Sequence, residues 1–464
     1  MKRTSKLIAL LVALSVSTSL FAGCGDKTES SSAGTSTASA SVSSESTSKE
    51  PVVIKYAGKT GDSTNEQTQA LFKFIEEGMA ERGMPVKMEA IEIPGENVEN
   101  EKKLVISLMA GDKMDLLYLN TSTGIKYSKA KLIMPIDDLV KESNYDIEGI
   151  YGSTAKKFDD KLYMIPTFKD VHVTLYNKKM FDDAGIAYPD NATWTWDKYV
   201  EAAKKLTNSS KGKWGSFMIY DWDPYPTFIA KQKKVPVYKE DGTSNFDDAG
   251  WAETFKFCAD LGNVQKVQPD VLTSKSKSLP FDSFISTDNY GLFTVGNWFL
   301  TTAADRSKYP RDWNMGIAIM PQVKAGEKVT LGITGGWGIP ITASHSKEAF
   351  EILKFLGEDE WKFYKRIPAR VNLTAEEQEE ALKSMVDSLK DDGITKEELV
   401  AAIMDPALDV VDEKIFGVGG SVMNTTLIPQ TLEMYATGQS SLEDAMKNLK
   451  EKADKAIKDD NSAK

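Results

Sequence analysis

Val52-Val53-Ile54-Lys55-Tyr56-Ala57, the alternating run Val86 to Ile93, and Asp115-Leu116-Leu117-Tyr118-Leu119 decide the fold class, because helical patterns separate them. Leu71, Phe74, Ile75 and Met79 recur at helical spacing after the first run. Val98, Val105, Leu108 and Met109 do so after the second, and Gly111 ends that pattern. Apolar residues that switch between a period of two and one of 3.6 mark strands alternating with helices. Such alternation predicts parallel βαβ units, an α/β lobe whose ligands lie at the carboxyl ends of the strands. The third run is the most apolar and reads as the most buried strand.

Upstream of Val52 the chain changes character. Lys2, Arg3 and Lys6 precede the apolar run Leu7 to Leu14, and Leu20-Phe21-Ala22-Gly23-Cys24 follows. A basic start, a short apolar stretch and a small-residue exit predict an export signal over 1–23, too short for a stable membrane span. Ala22-Gly23-Cys24 resembles a bacterial lipobox, with Phe21 where Leu is usual, so Cys24 is the predicted lipidation site and mature N-terminus. From Cys24 to Glu50 ten Ser and four Thr stand among 27 residues with no aromatic. That stretch cannot bury enough apolar surface to fold, and 24–50 reads as a flexible tether. Lipid and spacer together predict a protein held at the extracytoplasmic face of a cell membrane, and the long tether suggests a Gram-positive one.

Downstream, a strand is predicted at Val171 to Tyr176 past Lys161-Leu162-Tyr163-Met164-Ile165-Pro166. Thr195 is placed to open the helix Asp197 to Leu206. Further strands are predicted at Met315 to Met320 and Gly336 to Thr342, with a helix at Lys347 to Leu356. The last third reads as helices at 376–389, 396–404, 427–435 and 441–457. No internal repeat, long heptad or phosphate-binding glycine motif occurs.

Composition narrows the function. With 464 residues the chain has room for two or three domains. Its 57 basic against 68 acidic residues give −11, which argues against a nucleic-acid or anionic-membrane surface. Removing residues 1–23 takes away three positive charges and no acid, leaving −14. Two His and two Cys cannot build a His/Cys zinc site or a disulfide framework, and Cys258, among apolar neighbours, reads as a small core residue. No cofactor motif, Gly-x-Ser-x-Gly or His-Glu-x-x-His is present. These features predict a two-lobed protein that performs no chemistry.

Three stretches are candidates for ligand contact. Trp214 to Phe228 holds Phe217, Tyr220, Trp222, Tyr225 and Phe228 with Asp221 and Asp223 interleaved between prolines. Rings offer the apolar face that sugar C–H groups need, and carboxylates accept hydroxyl hydrogen bonds. The same segment also fits a packed corner between lobes. Gly296-Asn297-Trp298-Phe299 places an amide and a ring at a strand end; it equally fits a core Trp that starts a helix. Gly335-Gly336-Trp337-Gly338 either brings backbone close to a ligand beneath a ring or is a tight approach into a strand.

Met109-Ala110-Gly111-Asp112-x-x-Asp115, Tyr163-x-Ile165-Pro166, Leu175-Tyr176-Asn177-Lys178-x-x-Phe181-x-x-Ala184-Gly185, Trp194-Thr195-Trp196-Asp197-x-Tyr199 and Gly335-Gly336-Trp337-Gly338 with Ser346-Lys347 follow one another in order. Over about residues 52–450 the chain thereby resembles the extracellular sugar-binding proteins of ABC importers, the family typified by maltose-binding protein. The resemblance implies an α/β, two-lobed periplasmic-binding-protein-like fold of type II, its lobes joined by hinge crossovers. It implies an N-terminal lobe of 51–169 and 322–375 and a C-terminal lobe of 170–321 and 376–464. It also implies a monomer that captures a carbohydrate, an oligosaccharide above all, between the lobes and delivers it to an ABC permease, with no cofactor, metal or catalysis. By position Asp170 matches the family's acid on the crossing strand. Asp223-Pro224-Tyr225 looks like its Glu-Pro-Tyr, with Trp222 beside it. Trp298 falls on a sugar-platform Trp, with Asn297 in place of the preceding Pro. Gly335, Gly336 and Trp337 lie where relatives contact ligand, and Asn120 and Arg370 are assigned on position alone. Two alternatives remain open: a secreted glycoside hydrolase using two of Asp170, Asp221 and Asp223, and the same binding fold serving a peptide or metal chelate.

Overall fold

The computed structural model describes residues 50–95, 97–158, 160–218 and 225–462. The predicted signal, Cys24 and the tether as far as Lys49 lie outside these residues, as do Asp221, Trp222 and Asp223. In chain order the strands are β1 (Val52–Lys59), β2 (Val86–Ile93), β3 (Leu117–Asn120), β4 (Lys157–Phe158), β5 (Lys161–Leu162), β6 (Met164–Asn177), β7 (Trp214–Phe217), β8 (Tyr290–Gly296), β9 (Met315–Ile319), β10 (Val329–Gly338) and β11 (Asp409–Asp412).

The opening βαβ unit forms as its periodicity predicts. β1 and β2 pair in parallel, Val52 opposite Val86 through Lys59 opposite Ile93. Between them α1 (Glu66–Glu81) starts at Asn65, whose side chain accepts the amides of Gln67 and Thr68. Leu71, Phe72, Ile75 and Met79 form its buried face, each worth roughly 1.5–3 kcal/mol of apolar burial. Gly78 lets α1 cross the helix Ser346–Tyr364, because a Cβ there would overlap the Phe355 ring.

Two strands tie the halves of the molecule together. β6 runs unbroken for 14 residues. Its first half pairs antiparallel with β10, from Met164 opposite Gly338 to Val171 opposite Gly332. Its second half pairs with β8 (His172 opposite Gly296) and β9 (Val173 opposite Ile319). Met164 and Ile165 therefore sit in the cores around β1–β3, while Val171, Val173 and Leu175 belong to the larger core that also receives Trp251, Phe293, Leu382 and Leu449. β10 makes the reverse passage, with Leu331 in the large core and Trp337 and Ile339 in the first. These are two lobes built on one shared pair of strands.

Several boundaries differ from the sequence reading. The strand expected at 171–176 is the second half of β6, and the one expected at 336–342 is β10, ending at Gly338. The glycines of β10 mark close packing rather than strand ends. A Cβ at Gly336 would overlap the Ile165 carbonyl, and one at Gly332 the Asp170 carbonyl. Thr195 caps its helix as expected, accepting the Lys198 amide, and that helix begins at Trp196. The helix at 396–404 widens into a π turn over Val400–Met404. Asp392 locks this region, accepting from Arg306 and Arg311 at 2.6 Å each and from the Met315 amide at 2.7 Å. The Cys258 thiol is buried against the Tyr225 carbonyl, and burial pushes it well above the usual thiol range.

Candidate functional site

Of the fourteen residues of β6, Asp170 alone is not fully buried. It lies where the strand leaves β10 for β8, opposite Ile333. Burial raises its carboxyl above the usual range; the Arg366 charge and a hydrogen bond from Asn297 pull it back, while Glu413 adds to the rise. Asn297 follows β8 and is clamped to the same strand. Its Oδ1 accepts the Val171 amide at 2.7 Å, and its own amide donates to the Val171 carbonyl at 2.9 Å. The Asn in this position thus orients the crossing-strand acid, a role that proline could not fill.

Next in sequence, Trp298 is 39% exposed. One face of its indole stacks on Phe281, centroids 5.4 Å apart at 22°. Gly296 makes room for it, since a Cβ there would strike the indole nitrogen. Two residues along β6 from Asp170, His172 pairs with Glu413 at 2.9 Å. Burial works against the Glu413 carboxylate, yet the bond to His172 and the charges of Lys414 and Lys231 leave it below its usual range.

On the other side of Asp170 stands a cluster that the sequence reading missed. Tyr118 of β3, read there as part of the most buried strand, is 42% exposed because β3 alternates and turns Tyr118 and Asn120 outward. Its hydroxyl meets Arg366, and burial, partly offset by that guanidinium, pushes its pKa up to about 12. The Arg366 guanidinium lies 4.6 Å from the centroid of Phe168 and 5.2 Å from that of Tyr364. The signal available was the aromatic run Phe363-Tyr364 just before Arg366, at a helix end; no spacing rule links it to Phe168.

Other expected site residues lie elsewhere or serve the scaffold. Tyr225 is 1% exposed, its hydroxyl bonded to the Thr294 carbonyl and its ring edge-on to Phe228, so it is core and not a stacking surface. Trp337 is 3% exposed, donates to Glu360 Oε1 at 2.8 Å and is flanked edge-on by Tyr56 and Tyr118; it supports the exposed Tyr118 from beneath. Gly335 and Gly336 admit Phe168, Tyr118 and the β6 backbone, at the one register shift of that pairing. Arg370 pairs with Glu377 at 3.1 Å and donates to the Glu358 carbonyl. The exposed Asn120 caps α2 (Thr121–Lys129) through the Thr123 amide. Asp170, Asn297 and Trp298 are the expected residues that come together. Among the described residues no group of three His, Cys, Asp or Glu side chains gathers to hold a metal ion, and no helix is long and apolar enough to cross a membrane.

Residues 63–363 match the bacterial extracellular solute-binding proteins, and the chain belongs to that family. Its class is that of a binding protein, not an enzyme. The chain is 23% identical over 272 residues, 56% of its length, to a protein of Brucella abortus named as a binding protein, and spans 62% of that relative. It is 24% identical over 220 residues to the arabinooligosaccharide-binding protein of Halalkalibacterium halodurans, covering 47% of this chain and 48% of that one. A sugar transporter of Rhizobium etli, solved in an open conformation, superposes with a TM-score of 0.71 at 20% identity over 87% of this chain and 99% of its own. That likeness establishes the fold, a two-lobed α/β binding protein of type II.

Proposed function

We propose that the protein is a lipid-anchored receptor, attached through Cys24, that captures an oligosaccharide between its lobes and passes it to an ABC permease. The lobes are taken as 51–169 with 322–375 and 170–321 with 376–464, the first boundary falling within β6. The observation that carries the reading is the row Trp298, Asn297, Asp170. The exposed Trp298 directly follows Asn297, whose side chain bonds β6 next to Asp170, the one position of that strand that is not fully buried. An indole supplies the apolar face for a pyranose or furanose ring, and the carboxyl accepts its hydroxyls. The sugar named for the Halalkalibacterium relative supports the same class. Asp223 and Trp222, although outside the described residues, remain proposed contacts from the sequence.

Capture works through the shared strands. One lobe holds the solute first, and bending of β6 and β10 then brings the second lobe onto it and excludes water. A carboxylate–hydroxyl bond formed in that closed space contributes about 1.5–3 kcal/mol, and a mismatched sugar leaves the carboxyl unpaired at similar cost. Thermal-shift measurement against mono- and oligosaccharides tests the proposal. A stabilised melting transition with the sugar recovered intact is the expected result. Hydrolysis of the sugar would instead favour a glycosidase, and stabilisation by a peptide or metal chelate alone would reassign the solute.

A further inference from the structure

Arg366 is unlike the other arginines of the described chain. Arg82 pairs with Glu358 and Asp359 at 2.9 and 3.1 Å, Arg306 and Arg311 with Asp392, and Arg370 with Glu377. Arg366 has no carboxylate among the described residues within 4.0 Å, in a chain whose acids outnumber its bases 68 to 57. It is nevertheless held in place. Lys365, in left-handed conformation, turns the chain out of the helix Ser346–Tyr364. The segment behind it is then pinned to β6, Lys169 donating to the Ile367 carbonyl and Ala369 to that of Thr167, both at 3.2 Å. Phe168 and Tyr364 lie against the guanidinium and Tyr118 meets it with its hydroxyl, while the residue as a whole stays exposed.

A surface arginine that only needed solvation would not require two rings and a hydroxyl to fix it. One that must meet a planar anion does, because bidentate recognition depends on the fork being held before the ligand arrives. The rings take up the cation without accepting its N–H groups as a carboxylate would, and no described side-chain carboxylate lies within 4.0 Å of them. Asp170 is close enough for the Arg366 charge to act on it.

We propose that Arg366 receives a carboxylate of the solute, so that the preferred ligand is an acidic oligosaccharide bearing a uronic acid. This rests on the carbohydrate reading above and narrows it. The experiment is calorimetric titration of wild type and Arg366→Gln with matched pairs: galacturonate trimer against galactose trimer, and a xylo-oligosaccharide with and without a glucuronic acid branch. At least one acidic member is expected to bind ten times or more tighter than its neutral mate. Arg366→Gln should erase that ratio while still folding and binding the neutral mate, and Arg366→Lys should restore only part of it. Neutral sugars that bind as well as or better than their acidic mates would overturn the proposal and leave the carbohydrate reading standing. An acidic preference that survives in Arg366→Gln would overturn it too. Failure of every sugar, neutral and acidic, would remove the carbohydrate reading and this inference with it.

Discussion

Replacing Asn297 by Ala tests the bridge at the strand crossing, because one side chain ties the end of β8 to β6 beside Asp170. Its Oδ1 is the partner of the Val171 amide at 2.7 Å, in a buried setting. Truncation leaves that N–H unsatisfied, at a cost of about 1–3 kcal/mol. It also removes the donor that lowers the Asp170 pKa, so the carboxyl, already raised by burial, rises further. An acid whose folded pKa lies above its unfolded one loses stability as pH climbs between the two values. The Asp170 part of the deficit is therefore absent below the ordinary aspartate range and grows as pH rises toward neutrality, while the Val171 part does not vary with pH. Urea denaturation of Asn297→Ala and wild type at pH 3.5, 5.5 and 7.5 separates the two parts. Asn297→Asp keeps the acceptor for Val171 but sets a second carboxyl beside Asp170, so it should approach wild type in acid and fall away at neutral pH. Stability of Asn297→Ala within about 0.5 kcal/mol of wild type at every pH, the scatter usual for an uninvolved site, would refute the bridging role.

Trp298→Ala should fold normally, its ring being exposed, and lose about 1.5 kcal/mol of sugar affinity, roughly tenfold in Kd by titration. Gly336→Ala should cost about 3 kcal/mol in urea melts, since its Cβ meets the rigid carbonyl of Ile165. Lys169 is buried on β6 and burial, opposed by Asp405, lowers its pKa to about 8, below the unfolded value. Lys169→Met should therefore be more stable than wild type at pH 7, by up to about 3 kcal/mol, with the gap closing as pH rises from 8 to 10.5. Asp392→Asn leaves Arg306 and Arg311 without their carboxylate and should cost about 3–5 kcal/mol, read as a fall in melting temperature.

The opening βαβ unit and the helix after Thr195 were legible because their signals are local. Alternation from Val52 to Leu119 and the capping preference of Thr195 need no knowledge of distant residues. β10 was misplaced because its start at Val329 carries no local signal and Gly335 and Gly336 read as an approach to a ligand or the entry to a strand, whereas they admit Phe168 and Ile165 of a strand more than 160 residues away. The same distance blurred the aromatic residues. Tyr225, Trp298 and Trp337 look alike in sequence, and only the packing of Phe228, Phe281 and Glu360 separates two core rings from one exposed ring. Arg366 went unread because its meaning lies in an absence, the lack of a carboxylate within 4.0 Å among the described residues, that no neighbouring residue encodes.

The pairing of β3 with β10, Leu117 opposite Gly338 and Asn120 opposite Gly335, sets an order on synthesis. The first lobe to be made lacks an interior strand and its packing helix until the chain has been extended past Leu356. Contacts of such long sequence separation form late and slowly. The first lobe therefore cannot close its sheet until more than two thirds of the chain has been made, so its opening βαβ unit waits unpartnered while the strands of the second lobe are laid down.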